Sequence, residues 1–194
     1  MLGDSLTQGY GLPAEEGLVP QLEAYLAAQG VDAKLVNAGV SGDTTAGGLS
    51  RVGWTLTPEI DAMVVALGGN DLLRGIDPEV ARANLDGILA IAAQEGVEVM
   101  LVGFEAPGNY GADYKESFEA IFPELAGEHG AALYPRFFEG LGGDGDLAAV
   151  RARMQPDGIH PNAEGVTAIV ADFGPVVADW LEGLADGGAG AEAR

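Results

Sequence analysis

A serine hydroxyl becomes a nucleophile when a base takes its proton and, usually, a carboxylate orients that base. Ser5 stands in "GDSL", a run of turn-forming types that can equally be an ordinary tight turn. The chain has no cysteine, which excludes thiol nucleophiles, disulfides and thiolate metal sites, and only two histidines, so the search for a base is short. His129, in "AGEHGAAL", lies near a predicted helix end, where a cation complements the helix dipole and a structural role is expected. His160, in "PDGIHPN", follows Asp157 by three residues across a glycine. That turn can return the Asp157 carboxylate to the imidazole Nδ1–H and point Nε2 at a serine, although a plain helix-entry loop has the same composition.

Acyl transfer also needs donors aimed at the developing oxyanion. The N–H of Ser5, a backbone N–H near Gly42 and the Asn70 amide can supply three, while Asn70 after two glycines also suits a turn. Two other patterns fail their context. Gly39-Val40-Ser41-Gly42 is followed by Asp43 and so is not a G-x-S-x-G elbow. Gly140, Gly142 and Gly145 match G-x-G-x-x-G, but no long strand leads into them, and they read as a loop.

The elements that must hold these residues follow from periodicity and caps. Leu18 to Gln29 is an amphipathic helix closed by Gly30. A short apolar run, Ala33 to Val36, leads into Asn37-Ala38-Gly39. Asp61 to Leu67 and Val97 to Phe104 are nearly all apolar, as strands buried on both faces are. Asp77 and Pro78 cap and open a helix to about Gln94. Tyr114 to Glu128 is helical and Ala131 to Tyr134 a short strand. Asn162 caps a last helix running towards Leu184, with a kink or break at Gly174-Pro175, and residues 185–194 form a small, polar tail expected to be disordered. Alternating strands and helices predict an α/β class with a parallel sheet and helices on both faces. In such sheets ligands bind beyond the carboxyl ends of the strands, where "NAGVSGDTT", "GGNDLLRG" and "EAPGNYG" fall. A strand should also lead into Ser5, and only two residues precede Gly3, so the first strand is expected to be truncated.

At 194 residues one domain, spanning 1–184, is expected. Acidic residues outnumber basic ones 30 to 9, for a formal charge of −21. Such a surface repels nucleic acid and anionic membranes and favours solubility. No apolar run reaches the length of a membrane span, and no segment has the form of a signal peptide.

Together the clusters resemble the four blocks of the SGNH, or GDSL, hydrolase family. "GDSLTQGYG" is similar to the nucleophile block, "NAGVSGDTT" to the glycine block, "GGNDLLRG" to the asparagine block and "DGIHPN" to the Asp–His block, in the family's order over residues 3 to 162. "NYGADYKESFEAIFPELA" resembles most closely the multifunctional bacterial esterase, thioesterase I and lysophospholipase group, often called arylesterases. The resemblance implies a flavodoxin-like three-layer α/β/α sandwich. It implies Ser5 as nucleophile, His160 as base and Asp157 as its orienter, with an oxyanion hole of Ser5 N–H, Gly42 N–H and the Asn70 amide. It further implies a serine esterase for small-molecule substrates, first short-chain or aryl esters and then thioesters or lysophospholipids. The alternatives are a carbohydrate acetylesterase with the same triad and a non-catalytic binding domain. Pro107 and Tyr110 are expected to line the substrate pocket. No metal or organic cofactor is expected, and many relatives are periplasmic or secreted, which suggests the same location here.

Overall fold

A computed structural model describes residues 1–142 and 147–189. The backbone gathers into two compact units, one of Met1–Tyr10 with Asn37–Phe137, the other of Gly11–Val36 with Phe138–Arg194. The strands are β1 (Leu2–Gly3), β2 (Ala38–Gly39), β3 (Ala62–Ala66), β4 (Glu98–Val102) and β5 (Ala132–Tyr134). The helices are α1 (Ser5–Gln8), α2 (Leu18–Gln29), α3 (Thr45–Thr55), α4 (Gly69–Arg74), α5 (Pro78–Gln94), α6 (Ala112–His129), α7 (Leu147–Ala152) and α8 (Ala163–Ala189).

The first unit carries the whole sheet. Its strands are parallel in the order β2-β1-β3-β4-β5, the flavodoxin-like order, so the α/β class is as the sequence predicts. Leu2 pairs with Ala38 on one side and Val65 on the other, which sets β1 between β2 and β3 although it is only two residues long. Val64, Val65 and Leu67 in and after β3 are buried, as are Met100, Leu101 and Val102 in β4. Leu85, Ile88 and Leu89 present the apolar face of α5. Each such side chain taken from water contributes roughly 1.5–3 kcal/mol, which is why these strands and this helix are legible as hydrophobic patterns.

Two segments depart from the sequence reading, Ala33 to Val36 in the second unit and residues 45–55 in the first. The run Ala33 to Val36 forms no strand, because the Leu35 N–H is taken by the Glu23 carboxylate at 3.2 Å; the ladder begins only at Ala38. Residues 45–55, with glycines at 47, 48 and 53, form helix α3 despite a composition that disfavours it by about 1 kcal/mol per glycine. Packing explains the cost: a Cβ on Gly48 would run into the Leu67 side chain, so α3 can lie close only where it lacks one.

In the second unit α2 has the predicted bounds and packs on α8. Helix α8 continues through Pro175 to Ala189, past the expected break at Gly174-Pro175 and past Leu184. Gly174 marks a close approach instead, since a Cβ there would stand 2.6 Å from the Tyr25 ring of α2. The rest of the tail lies outside the described residues. Gly140 has a similar use, its missing Cβ making room for the backbone carbonyl of Ala168 in α8. Gly145 of the same glycine pattern lies outside the described residues.

Candidate active site

Three adjacent strands, β2, β1 and β3, deliver the first three candidate residues from their carboxyl ends. Beyond β1, Asp4 is the N-cap of α1, its Oδ1 accepting the Leu6 N–H at 2.9 Å. Ser5 opens that helix and is 8 % exposed. Its N–H belongs to the first helical turn, ahead of the intrahelical ladder, where donors face outward. Beyond β2, Gly42 has φ +82°, and its carbonyl accepts from Arg74 Nη2 at 2.8 Å. Ser41, on the same loop, donates its hydroxyl to Gln8 Oε1 at 2.7 Å.

Beyond β3, Gly68 takes φ +130° with the Phe118 and Phe122 rings 3.3 Å from where a Cβ would stand, so only glycine suits it. This turn starts α4 and carries Asn70, whose Nδ2 donates to Asp4 Oδ2 at 3.0 Å. Ser5, Gly42 and Asn70 therefore occupy the strand ends at which α/β sheets bind ligands.

A buried polar frame ties these loops together. Asp71, fully buried, accepts from both the Thr45 N–H (2.9 Å) and the Thr45 hydroxyl (2.7 Å). Asn84 Nδ2 of α5 donates to the same hydroxyl at 3.0 Å. Burial pushes the Asp71 carboxyl above its ordinary range, against the Thr45 hydrogen bonds that pull it down. Arg51 of α3 donates through Nε to Asp43 (2.6 Å), through Nη1 to Ala38 O (2.8 Å) and through Nη2 to Gly3 O (2.9 Å). One guanidinium thus holds the ends of β1 and β2 and the loop bearing Gly42. Asn37 joins in, donating to Thr7 O at 3.0 Å and accepting from Gly39 N at 2.9 Å.

The frame predicts the cost of Thr45→Val, which keeps the shape and removes the hydroxyl. Asp71 Oδ1 loses a donor and Asn84 loses an acceptor, so the variant should lose about 1–3 kcal/mol of stability. Urea titration should show a lower midpoint with an unchanged slope.

The second unit holds the remaining pair. Asp157 Oδ2 lies 2.7 Å from His160 Nδ1, and Asp157 Oδ1 accepts the N–H groups of Ile159 (2.9 Å) and His160 (3.0 Å). The hydrogen bond from His160, followed by those two backbone donors, holds the Asp157 carboxyl down at about 2. Gly158, at φ +69°, makes the turn that brings the three donors round one carboxylate. A short antiparallel bridge, Met154 to Pro161, with Gln155 N–H on His160 O at 2.7 Å, fixes the far side of the loop. Asn162 caps α8 through Oδ1 on Gly165 N–H at 2.9 Å, as expected. With the carboxylate on Nδ1, the pair holds the imidazole in one orientation.

Pro107 and Tyr110 lie beyond β4 and both are exposed. Tyr110 packs at a tilt against Tyr114, with ring centroids 4.9 Å apart and planes 43° from parallel, and its ring lies against Gly75 at the end of α4. Leu73 of α4 is 57 % exposed, so an apolar surface accompanies the Asn70 helix. His129 has its structural role: in the last turn of α6 its Nε2 meets Asp86 Oδ1 at 2.7 Å. Sequence reading missed Asp4 as a hydrogen-bonding residue, together with Arg51 and Asp71. No period in the sequence marks their pairing with Asn70, Gly3 and Thr45, which lie 66, 48 and 26 positions away.

Residues 1–168 match the GDSL-like lipase/acylhydrolase family, whose name the run Gly3-Asp4-Ser5-Leu6 itself carries. The chain belongs to that family. Among curated GDSL-like relatives it is 43 % identical over 182 residues to the esterase TesA of Pseudomonas aeruginosa, covering 93 % of this chain and 88 % of that one. It is 36 % identical, over 93 % of this chain and 79 % of the relative, to thioesterase 1/protease 1/lysophospholipase L1 of Escherichia coli K12. The crystal structure of the psychrotrophic esterase EstA from Pseudoalteromonas sp., inhibited by monoethylphosphonate, superposes with a TM-score of 0.83 at 31 % identity, covering 93 % of this chain and 96 % of that one.

Proposed function

We propose that this GDSL-like protein is a serine esterase that hydrolyses short-chain or aryl carboxylic esters through an acyl-enzyme on Ser5. His160 Nε2 takes the Ser5 proton as Oγ attacks the ester carbonyl, and Asp157 stabilises the imidazolium that forms. The oxyanion of the tetrahedral intermediate accepts from Ser5 N–H, Gly42 N–H and the Asn70 amide. Collapse expels the alcohol, protonated by His160; water, giving its proton to His160, then attacks the acyl carbonyl, and the second collapse breaks the bond to Ser5 Oγ, which takes that proton as the acid leaves. The observation that carries this reading is the origin of Ser5, Gly42 and Asn70 from the ends of three neighbouring parallel strands, with a serine among two sets of donors.

The exposed faces of Leu73 and Tyr110 favour an apolar acyl or aryl group. A net charge of −21 disfavours strongly anionic thioesters and so ranks neutral esters first. The relatives named as esterase and as thioesterase/lysophospholipase support the same class.

The test is a phosphonate ester that mimics the tetrahedral intermediate, followed by mass spectrometry of the digested protein. The adduct is expected on the N-terminal peptide at Ser5, with loss of turnover in proportion to labelling. Labelling of any other residue, with Ser5 unmodified, would overturn the assignment. A p-nitrophenyl ester series from acetate to decanoate then reads the acyl preference.

A further inference from the structure

An amide is a useful oxyanion donor only if its nitrogen, and not its oxygen, faces the reacting centre. The two ends of an Asn side chain are nearly the same shape, so packing alone selects between them weakly. Something with one-way hydrogen-bonding character must decide. Asp4 has that character. A carboxylate only accepts, and Oδ2 of Asp4 lies 3.0 Å from Asn70 Nδ2. Asp4 is 2 % exposed, and its other oxygen, Oδ1, is committed to the Leu6 N–H at 2.9 Å. The approach is close because Gly69 lacks a side chain: a Cβ there would stand 3.3 Å from Asp4 Oδ2.

We infer that Asp4 is the positioning residue for Asn70, its carboxylate selecting the amide orientation that presents an N–H to the oxyanion. Nδ2 carries two hydrogens fixed in the amide plane. With one directed at Asp4, the direction of the other is set, and the Asn70 oxygen is turned the opposite way. The same carboxylate caps α1, the helix that begins with Ser5. Nucleophile and amide donor are thereby referenced to one rigid group. This rests on the proposed role of Asn70 as an oxyanion donor.

Asp4→Asn separates positioning from capping. Asn is as good an N-cap as Asp, so its Oδ1 stays on Leu6 N–H. Its Nδ2 then faces Asn70, donor against donor. Asn70 relieves that clash by turning its amide over, which withdraws the N–H from the oxyanion. Asp4→Ser is the second variant: serine also caps but is too short to hold Asn70.

The experiment measures kcat and KM on p-nitrophenyl acetate for wild type, Asp4→Asn, Asp4→Ser, Asn70→Ala and the double variant Asp4→Asn/Asn70→Ala, with melting curves for each. Asn70→Ala should lower kcat by about 10²–10³-fold, the usual loss of one oxyanion donor. Asp4→Asn should fall by a similar factor with KM within a few-fold and Tm close to wild type. The double variant should be no slower than Asn70→Ala alone, because both changes remove the same N–H. Asp4→Ser should lower kcat less than Asp4→Asn, having removed the guide without adding a donor against Asn70. Losses that multiply in the double variant, or wild-type kcat in a folded Asp4→Asn, would overturn the positioning role. Near-normal kcat in Asn70→Ala would overturn it too, by removing Asn70 from the reaction while leaving Ser5 as nucleophile untouched.

Discussion

Ser5→Ala should lower kcat for p-nitrophenyl acetate by about 10⁶-fold, with the protein still folded. The magnitude is that of removing the nucleophile of a serine hydrolase, which leaves only the slow attack of water aided by oxyanion donors and binding. The fold should tolerate the change. Ser5 is the first residue of α1, and the cap of that helix is the Asp4 side chain, which the substitution leaves alone. Alanine also suits a first helical turn. Circular dichroism and a melting curve matching wild type, together with loss of turnover, are the expected pair. A folded variant within ten-fold of the wild-type rate would assign the chemistry elsewhere. His160 is the base in the same scheme, so a variant lacking the nucleophile should also lose the burst of p-nitrophenol that marks acyl-enzyme accumulation.

How much of this was legible beforehand depended on what each signal encodes. Helix α5 was bounded to the residue because Asp77, Pro78 and an apolar stripe all act locally. The cap at Asn162 and the strands β3 and β4 were legible for the same reason. Helix α3 was not, because its glycines report on the space beside Leu67 rather than on its own backbone. Gly174 misled in the same way: its reason is the Tyr25 ring on α2, almost 150 positions distant in the chain. β2 begins at Ala38, beyond the whole apolar run Ala33 to Val36, since strand limits depend on which donors a neighbouring strand receives.

The candidate site shows a similar divide. Residues whose types name their chemistry, Ser5, Asp157, His160 and Asn70, could be singled out from spacing and family resemblance. Their supports could not. Arg51 reaches three acceptors on segments 8 to 48 positions away. Asp71 meets Thr45 26 positions away, and Asp4 meets Asn70 66 positions away. Hydrogen bonds that long in sequence leave no period to read. The candidate residues are the sparse, chemically distinctive part of the site, and the frame that holds them is written only in three dimensions.

The Asp157–His160 pair yields the second large effect, through Asp157→Asn. Oδ1 of the new side chain can keep the N–H groups of Ile159 and His160, so the loop should hold its shape. Its Nδ2, however, now faces His160 Nδ1 as a donor. The imidazole must then accept at Nδ1 and carry its proton on Nε2, the atom that should take the proton of Ser5. A fall in kcat of about 10⁴-fold at neutral pH is expected, with KM little changed, as for the corresponding loss in other triads. Stability should move far less, since the pair is partly exposed and such pairs contribute at most about 1 kcal/mol. Its pH dependence has a definite sign. The carboxyl is depressed in the folded protein, from 3.8 to about 2, so its contribution is present above about 3.8 and is lost as pH falls through about 2. Melting curves of wild type and Asp157→Asn should therefore differ slightly at pH 6 and converge below pH 2. A large, pH-independent loss of stability with kcat preserved would make Asp157 a structural group and not the orienter of the base.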